Sequence, residues 1–565
     1  MKGLKTLLCS FNSKFIHSNP AVYSLEKACD VYCNEYRTTC GCIVLNEFTI
    51  NDLYDYITYK ISSQKPDIIA IATYIWNVNL VSKLCKDIRK SMPDVKIVLG
   101  GPEVSFGVEH THIKYDDYDY IIKGEGERSL FCLLASLNDK EFTPPKEFGF
   151  CIKDKVIYSL PINDLSQIPF IYDGHDIKEE FLNKIVYYES SRGCPFNCAY
   201  CLSAAYGSVR FLPLKRTLDD ILKFIKSGIK QVKFVDRTFN CDRERAYEII
   251  NFIIQEASES DMNFHFEVGA DLFDDRLISL LAKAKRGQIQ LEIGIQSTFN
   301  KALEICCRKT SLEDLFYNID KIIKIGNINV HVDLIAGLPG ESYERFKKSF
   351  NDVYFLNAHQ LQLGFLKLLK GAPLNELISE YDYSFSKNSP YEVMKNDSIT
   401  YDEILKLKRI EDVLERYYNS RKFCKTLDLV VQVFDSPFDM YETLADFFEE
   451  NGNTFKSVSS RELYDILFDF VCGLNVNDEF IDCAREYMLL DFFSSEHSEN
   501  VPERLKKIWE PYALYKQKAK EILDRYKMIK DKNKVVRFVN QIPYIIDYSK
   551  KDPVTGCFNV IKCKQ

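Results

Sequence analysis

Cys194, Cys198 and Cys201 stand at C-x3-C-x2-C spacing in "SSRGCPFNCAYC" (190–201), on a loop that leaves a strand-like run. Thiolates this close along one loop can ligate a single metal centre without distant partners. A structural zinc normally takes its fourth ligand from a second C-x2-C or H-x3-H pair, and none lies nearby in the chain. Three ligands therefore define an open site. In a [4Fe-4S] cluster held by three cysteines, the remaining iron is free to bind a small molecule.

Composition sets the limits within which such a site must be built. The 565 residues exceed one domain, since domains average about 150 residues. Lys and Arg total 74 against 82 Asp and Glu, a net charge of -8, which gives no basic face for general nucleic-acid binding. No apolar run is long enough to span a membrane. The opening "MKGLKTLLCSFNSKFIHSN" lacks a signal-peptide pattern and reads as a first strand, so a cytoplasmic location is expected. Nineteen cysteines, an odd number spread along a long chain, are no disulfide framework. Reduced thiols are expected, most of them small buried hydrophobes.

The elements that must position the triplet follow from apolar spacing. Strand-like runs ("LKTLLCSF", "PDIIAIATYIW", "KIVLGGPEV", "YDYIIKGEGE") alternate with helical ones through residues 1–140, and their near-continuous Ile, Val and Leu suit strands covered on both faces. A doubly wound, Rossmann-like parallel sheet is expected there, with ligands beyond the carboxyl ends of its strands. Residues 141–182 are proline-bearing and aperiodic, and read as a linker. A second βα series over 183–375 offers six strands, too few for a full eight-fold barrel, so a partial (βα)6 TIM-type barrel is expected. Its helices include "TLDDILKFIKSGI" behind Thr217 as N-cap and "SLEDLFYNIDKIIKIG" between Ser311 and Gly326. Residues 376–565 turn to long amphipathic segments, a mainly α-helical domain closed by a short β element.

At the triplet the sequence resembles the radical S-adenosylmethionine (radical SAM) superfamily. "CPFNCAYC" matches that family's C-x3-C-x-Φ-C signature, with Tyr200 in the aromatic position. The resemblance implies a cluster whose unique iron chelates the amino and carboxylate groups of SAM and, once reduced, cleaves it to methionine and a 5'-deoxyadenosyl radical. It implies further SAM contacts at strand ends: Asp236 in "VKFVDRTFN", Glu267 in "FHFEVGAD", Glu292, Gln296 and Ser297 in "LEIGIQS", and a glycine turn near the adenine in "LIAGLPGE". The usual Gly-Gly-Glu after the second strand is replaced by "VDRTFN". On chemistry alone, Glu267 and Gln296 also read as polar groups tying strands together inside the barrel.

The amino-terminal sheet resembles the cobalamin-binding domain found in front of radical SAM barrels. "IATYIW", "VLGGPEVSF" and "IIKGEGERSL" carry that likeness. It places Thr73, Gly100 and Gly101 beside the cobalamin tail and matches Gly124, Glu125 and Gly126 to the "GEGE" turn of the class. Glycine suits such turns because backbone must approach a bulky cofactor closely. The Asp-x-His-x-x-Gly motif that ligates cobalt from below elsewhere is absent, and "DGHD" (173–176) has other surroundings. His17 is the substitute on offer, as cobalt ligand or phosphate contact; a cap or surface residue is its plainer reading. Trp76 packs near the corrin or fills the sheet core. The tail resembles a carboxy-terminal domain of unknown function attached to one branch of this class.

The resemblance implies three cofactors, a [4Fe-4S] cluster, SAM and cobalamin, and a reductant such as flavodoxin or ferredoxin. The simplest reaction is methylation of an unactivated carbon, hydrogen being abstracted by the radical and the methyl carried on cobalamin. Cyclisation or rearrangement within the same class is the alternative. A methylthiotransferase would need a second three-cysteine cluster, and Cys9, Cys29, Cys33, Cys40, Cys42 and Cys85 do not reproduce it. A non-catalytic cobalamin or redox sensor is the rival of another class.

Overall fold

The computed structural model describes residues 3–203, 207–510, 512–528 and 531–563. The chain forms two compact units, Met1–Leu280 with Glu304–Lys309 and Leu366–Met394, and Leu281–Leu303 with Thr310–Phe365 and Lys395–Gln565. Among the described residues no helix is long and apolar enough to cross a membrane.

The first unit begins with β1 (Lys5–Asn12), α1 (Pro20–Tyr36), β2 (Cys42–Thr49), β3 (Ile68–Ala72), α2 (Val78–Ser91), β4 (Lys96–Gly100), β5 (Tyr120–Ile122) and α3 (Glu127–Asn138). The sheet order is β2-β1-β3-β4-β5-β7-β6, with β6 (Cys151–Lys153) and β7 (Val156–Tyr158) supplied by the segment expected to be a linker. Three-residue strands are too short to show a period, which is why composition hid them. All pairs are parallel except β6 with β7. Every residue of β3 is buried. Val81, Leu84 and Ile88 of α2 pack with Leu7, Ile69 and Ile97. Cys9 and Cys85 belong to the same core, where burial pushes each thiol up to about 12, the plain role expected of most cysteines. The strand order reverses direction between β1 and β3, which opens a crevice beyond their carboxyl ends.

The same unit carries three parallel strands of the second series, β8 (Val186–Tyr188), β9 (Gln231–Phe234) and β10 (Asn263–Val268), with β9 between the other two. Helix α4 (Leu214–Ser227) starts three residues before the expected cap. Thr217 lies buried within it, its hydroxyl bonded back to Pro213 O, because Pro213 already fixes an extended entry.

The second unit holds β11 (Ile289–Gln296), β12 (Asn329–Ala336) and β13 (Gln360–Phe365), paired in parallel in that order. Between β11 and β12 runs α5 (Leu312–Ile325), capped as expected by the Ser311 hydroxyl and stopped by Gly326 in the left-handed region. Beyond residue 395 the unit is mainly helical and ends in a four-stranded antiparallel meander spanning 509–562.

One carboxylate in this helical part makes a pH prediction. Asp491 is buried and caps the short helix α6 (Cys424–Val430), accepting from Lys425 N (3.2 Å), Thr426 N (2.9 Å) and the Thr426 hydroxyl (2.8 Å). Burial pushes its carboxyl up to about 7 against those hydrogen bonds. The folded chain then holds a proton that the unfolded chain has released, so stability falls as pH rises from about 4 to about 7, by at most roughly 4 kcal/mol. Asp491→Asn is expected to flatten that slope; thermal unfolding of both chains at pH 5 and 7.5 checks it.

Candidate active site

A cavity of about 420 Å³ opens in the first unit, beyond the ends of β1, β3 and β4. Its lining includes Ala72, Gly100, Gly101 and the turn Gly124–Glu127, with Pro20, Ala21, Val22, Ser24 and Leu25 of α1. It also includes Ser191, Arg192, Gly193 and Ser203, which flank the cysteines. One space thus borders the glycine turns and the residues on either side of the cysteine loop, while the three cysteines themselves are not among its lining.

The glycines differ in what they do. Gly101 has φ 104°, and a Cβ there would lie 2.4 Å from Thr73 O, so only glycine lets the ends of β3 and β4 approach. Thr73 N donates to Gly100 O at 2.7 Å. The Thr73 side chain is fully buried, turned to Ile71 O, and is not among the residues lining the cavity. Gly124 has φ 83°, and a Cβ on it would meet no atom within 4 Å. That is a backbone cradle with room for a ligand. Glu125 and Gly126 complete it. Tyr74 lines the cavity and stacks on Trp76 at 4.5 Å, and Trp76 donates from its indole to Phe11 O. His17 lies elsewhere. Its Nδ1 is 2.6 Å from the Tyr187 hydroxyl, its backbone bridges Ile185, and it does not line the cavity.

The cysteine loop leaves and re-enters through a two-residue antiparallel ladder, Ser191 opposite Phe211 and Arg192 opposite Arg210. Asp236, at the end of β9, accepts from Ser190 N (2.8 Å), the Ser190 hydroxyl (2.5 Å) and Ser191 N (3.0 Å). Desolvation raises its carboxyl to about 6 while these bonds pull the other way. Asp236, an expected SAM contact, also fixes the root of the loop. Farther along, Ala199 N donates to Cys306 O and Leu374 N to Ala199 O, both at 2.8 Å.

Each thiol has a polar neighbour. Ser203 N donates to Cys201 Sγ at 3.4 Å, Arg308 Nη1 to Cys198 Sγ at 3.9 Å, and the Thr238 hydroxyl is 3.6 Å from Cys194 Sγ. Burial raises the Cys198 thiol, and the Arg308 guanidinium opposes it. Arg308 also donates to the Tyr200 hydroxyl at 3.3 Å, which places the aromatic of the motif beside its second cysteine. Among the described residues no three His, Cys, Asp or Glu side chains converge on a single metal ion. Two of the three thiols are met by a donor, and three cysteine ligands on one loop are what a [4Fe-4S] cluster with one free iron takes.

The remaining expected contacts are placed as follows. Glu267 on β10 pairs with Lys233 of β9 at 3.7 Å, within the first unit. In the second unit, Glu292 and Gln296 lie on the half-exposed face of β11, which alternates strictly with its buried face. Gln296 has φ 72° at a register irregularity against β12. A non-glycine residue in the left-handed region at a strand end is the kind of strain found at functional sites. Ser297 is buried and donates to Glu341 at 2.8 Å, so the two strand-end motifs "IQS" and "GLPGE" meet in one polar network. Arg192, Arg308 and Thr238 were not singled out in the sequence. Arg192 alone has a local signal, its place in "SSRGC", whereas Thr238 and Arg308 lie far along the chain from the motif.

Comparison with known proteins agrees with this geometry. Family models match a B12 binding domain at residues 40–131, the radical SAM superfamily at 188–353 and a protein of unknown function, DUF4080, at 379–547. The chain carries a radical SAM domain with a B12-binding domain in front and a DUF4080 domain behind. The radical SAM domain implies a [4Fe-4S] cluster and SAM as cofactors, and the B12-binding domain implies cobalamin. Among curated relatives, the cobalamin-dependent radical SAM methyltransferase TokK of Streptomyces tokunonensis is 25% identical over 56% of this chain and 49% of its own length. The anaerobic magnesium-protoporphyrin IX monomethyl ester cyclase of Rubrivivax gelatinosus is 22% identical over 67% of this chain and 71% of its own. The chain thus spans about half the length of TokK. The structure of the cobalamin-dependent S-adenosylmethionine radical enzyme OxsB, with aqua-cobalamin and SAM bound, covers 90% of this chain and 83% of its own with a TM-score of 0.59 at 14% identity, a likeness of fold.

Proposed function

We propose that the chain is a cobalamin-dependent radical SAM methyltransferase acting on an unactivated carbon. The observation that carries the reading is the one cavity lined both by Gly100, Gly101 and Gly124 and by Gly193 and Ser203. When bound, the cluster supplies the electron that cleaves SAM and cobalamin supplies the methyl carrier. Cys194, Cys198 and Cys201 hold the cluster, with Arg308 and Ser203 N offsetting the charge on two of the sulfurs. The glycine turns let cobalamin lie against backbone, and Asp236 keeps the loop root in register. A low-potential donor such as flavodoxin or ferredoxin delivers the electron, in the cytoplasm.

Cyclisation without methyl transfer is the second reading, favoured by the larger share of the chain that the Rubrivivax cyclase covers. Anaerobic reconstitution with iron, sulfide and hydroxocobalamin, then reduction with SAM, tests both. Cluster and cobalamin absorbance with 5'-deoxyadenosine and S-adenosylhomocysteine is the result expected of a methyltransferase. Deoxyadenosine without S-adenosylhomocysteine moves the assignment to the cyclase type, and no SAM cleavage at all overturns the enzyme reading.

A further inference from the structure

Arg192, two residues before Cys194, is held by carboxylates from three places. Its Nη1 lies 3.1 Å from Glu125, its Nη2 lies 2.9 Å from Glu127 and 2.8 Å from Glu189, and its Nε lies 3.0 Å from the other Glu189 oxygen. Glu125 and Glu127 belong to the turn that cradles the cavity, while Glu189 follows β8. The ion pairs are secluded, with the Arg192 side chain 16% exposed and Glu127 6% exposed. Two of these carboxylates, Glu127 and Glu125, are anchored by further donors. Glu127 accepts from the Ser24 hydroxyl of α1 at 3.0 Å, and Ser24 also lines the cavity. Glu125 accepts from Ile162 N at 2.9 Å and from Arg210, the ladder partner of Arg192. Ser24, Glu127, Arg192 and Glu189 thus make a continuous run of charge-assisted bonds from the cavity wall to the cysteine loop.

We propose that Arg192 is the positioning residue that couples the two cofactor sites, so that filling the Gly124–Gly126 cradle alters the setting of the cysteine loop. The inference rests on the cofactor reading above. A molecule lying against the cradle bears on the backbone between Glu125 and Glu127, and both carboxylates end on one planar guanidinium. Since that guanidinium is fixed on several nitrogens at once, displacement of the turn is passed to the backbone of Arg192 and to Gly193, where the loop begins. Lysine keeps the charge and loses the fork. By linkage, the factor by which the cluster changes cobalamin affinity equals the factor by which cobalamin changes cluster affinity.

The test is the dissociation constant of hydroxocobalamin, measured on the full chain with and without its reconstituted cluster, together with the cluster's midpoint potential with and without cobalamin. For the wild type the two constants are expected to differ about fivefold or more, with a shift in potential. In Arg192→Lys, which retains a buried positive charge against Glu125, Glu127 and Glu189, both cofactors are expected to bind while the ratio falls towards one and the potential no longer responds. Arg192→Met is expected to lose the ratio too; should it fail to fold, the lysine variant decides alone. A lysine chain with the wild-type ratio and shift overturns the proposal. So does a wild type that binds both cofactors independently. A wild type that takes up the cluster and no cobalamin overturns the cofactor reading and the coupling together.

Discussion

The Cys198→Ala chain, reconstituted anaerobically, is expected to retain almost no iron and sulfide and to form 5'-deoxyadenosine at least about a thousandfold more slowly, since the cluster carries the whole of that acceleration. Cys198 is the most buried of the three thiols, 7% exposed, between Arg308 and Tyr200. Its removal leaves two thiols on the loop and a guanidinium that has lost its sulfur. The side chain is small, and losing it from a buried position costs on the order of 1–2 kcal/mol, so the fold should survive. Cys9→Ala is the matched control, a fully buried thiol in the sheet core away from the loop. Iron and sulfide analysis, the electron paramagnetic spectrum after reduction and chromatography of the nucleoside check all three chains. Cluster and cleavage persisting in Cys198→Ala would remove the basis for the site.

That result depends on a motif readable in sequence because it is local. Three cysteines within eight positions need no knowledge of the fold to be seen as joint ligands. The flanking βα pattern was readable for the same reason, as were the Ser311 cap and Gly326 stop of α5, each settled by bonds within four residues. Arg192 was not readable, although it stands inside the quoted stretch. Its meaning lies in Glu125 and Glu127, 67 and 65 positions away, and their approach is set by tertiary packing. Asp236 shows the converse. Its place at a strand end was readable, whereas the Ser190 and Ser191 backbone amides it receives were not. The linker concealed β6 and β7 because pairing with β5, rather than pattern, makes three residues a strand. The glycines were readable as a class, but not by their separate tasks.

Those separate tasks decide the second large effect. Gly100→Leu is expected to weaken cobalamin binding about a hundredfold, roughly 2.7 kcal/mol, with cluster content unchanged. Gly100 lines the cavity, and a Cβ there meets only Ile122 Cβ at 3.9 Å, so the fold tolerates the added side chain while the cavity does not. Gly101→Ala should behave differently despite being the smaller change. Its Cβ would fall 2.4 Å from Thr73 O at φ 104°, so stability is lost before binding can be judged. Gly124→Ala separates the two causes. It has open space around the new carbon but φ 83°, so strain of about 1–2 kcal/mol should appear as lowered stability with only a modest loss of cobalamin. Cobalamin absorbance retained after desalting, iron content and thermal unfolding of the three variants distinguish these outcomes. Full cobalamin uptake by a folded Gly100→Leu chain would show that the cofactor does not lie against the end of β4, and would take the cavity out of the assignment while leaving the cysteine loop in it.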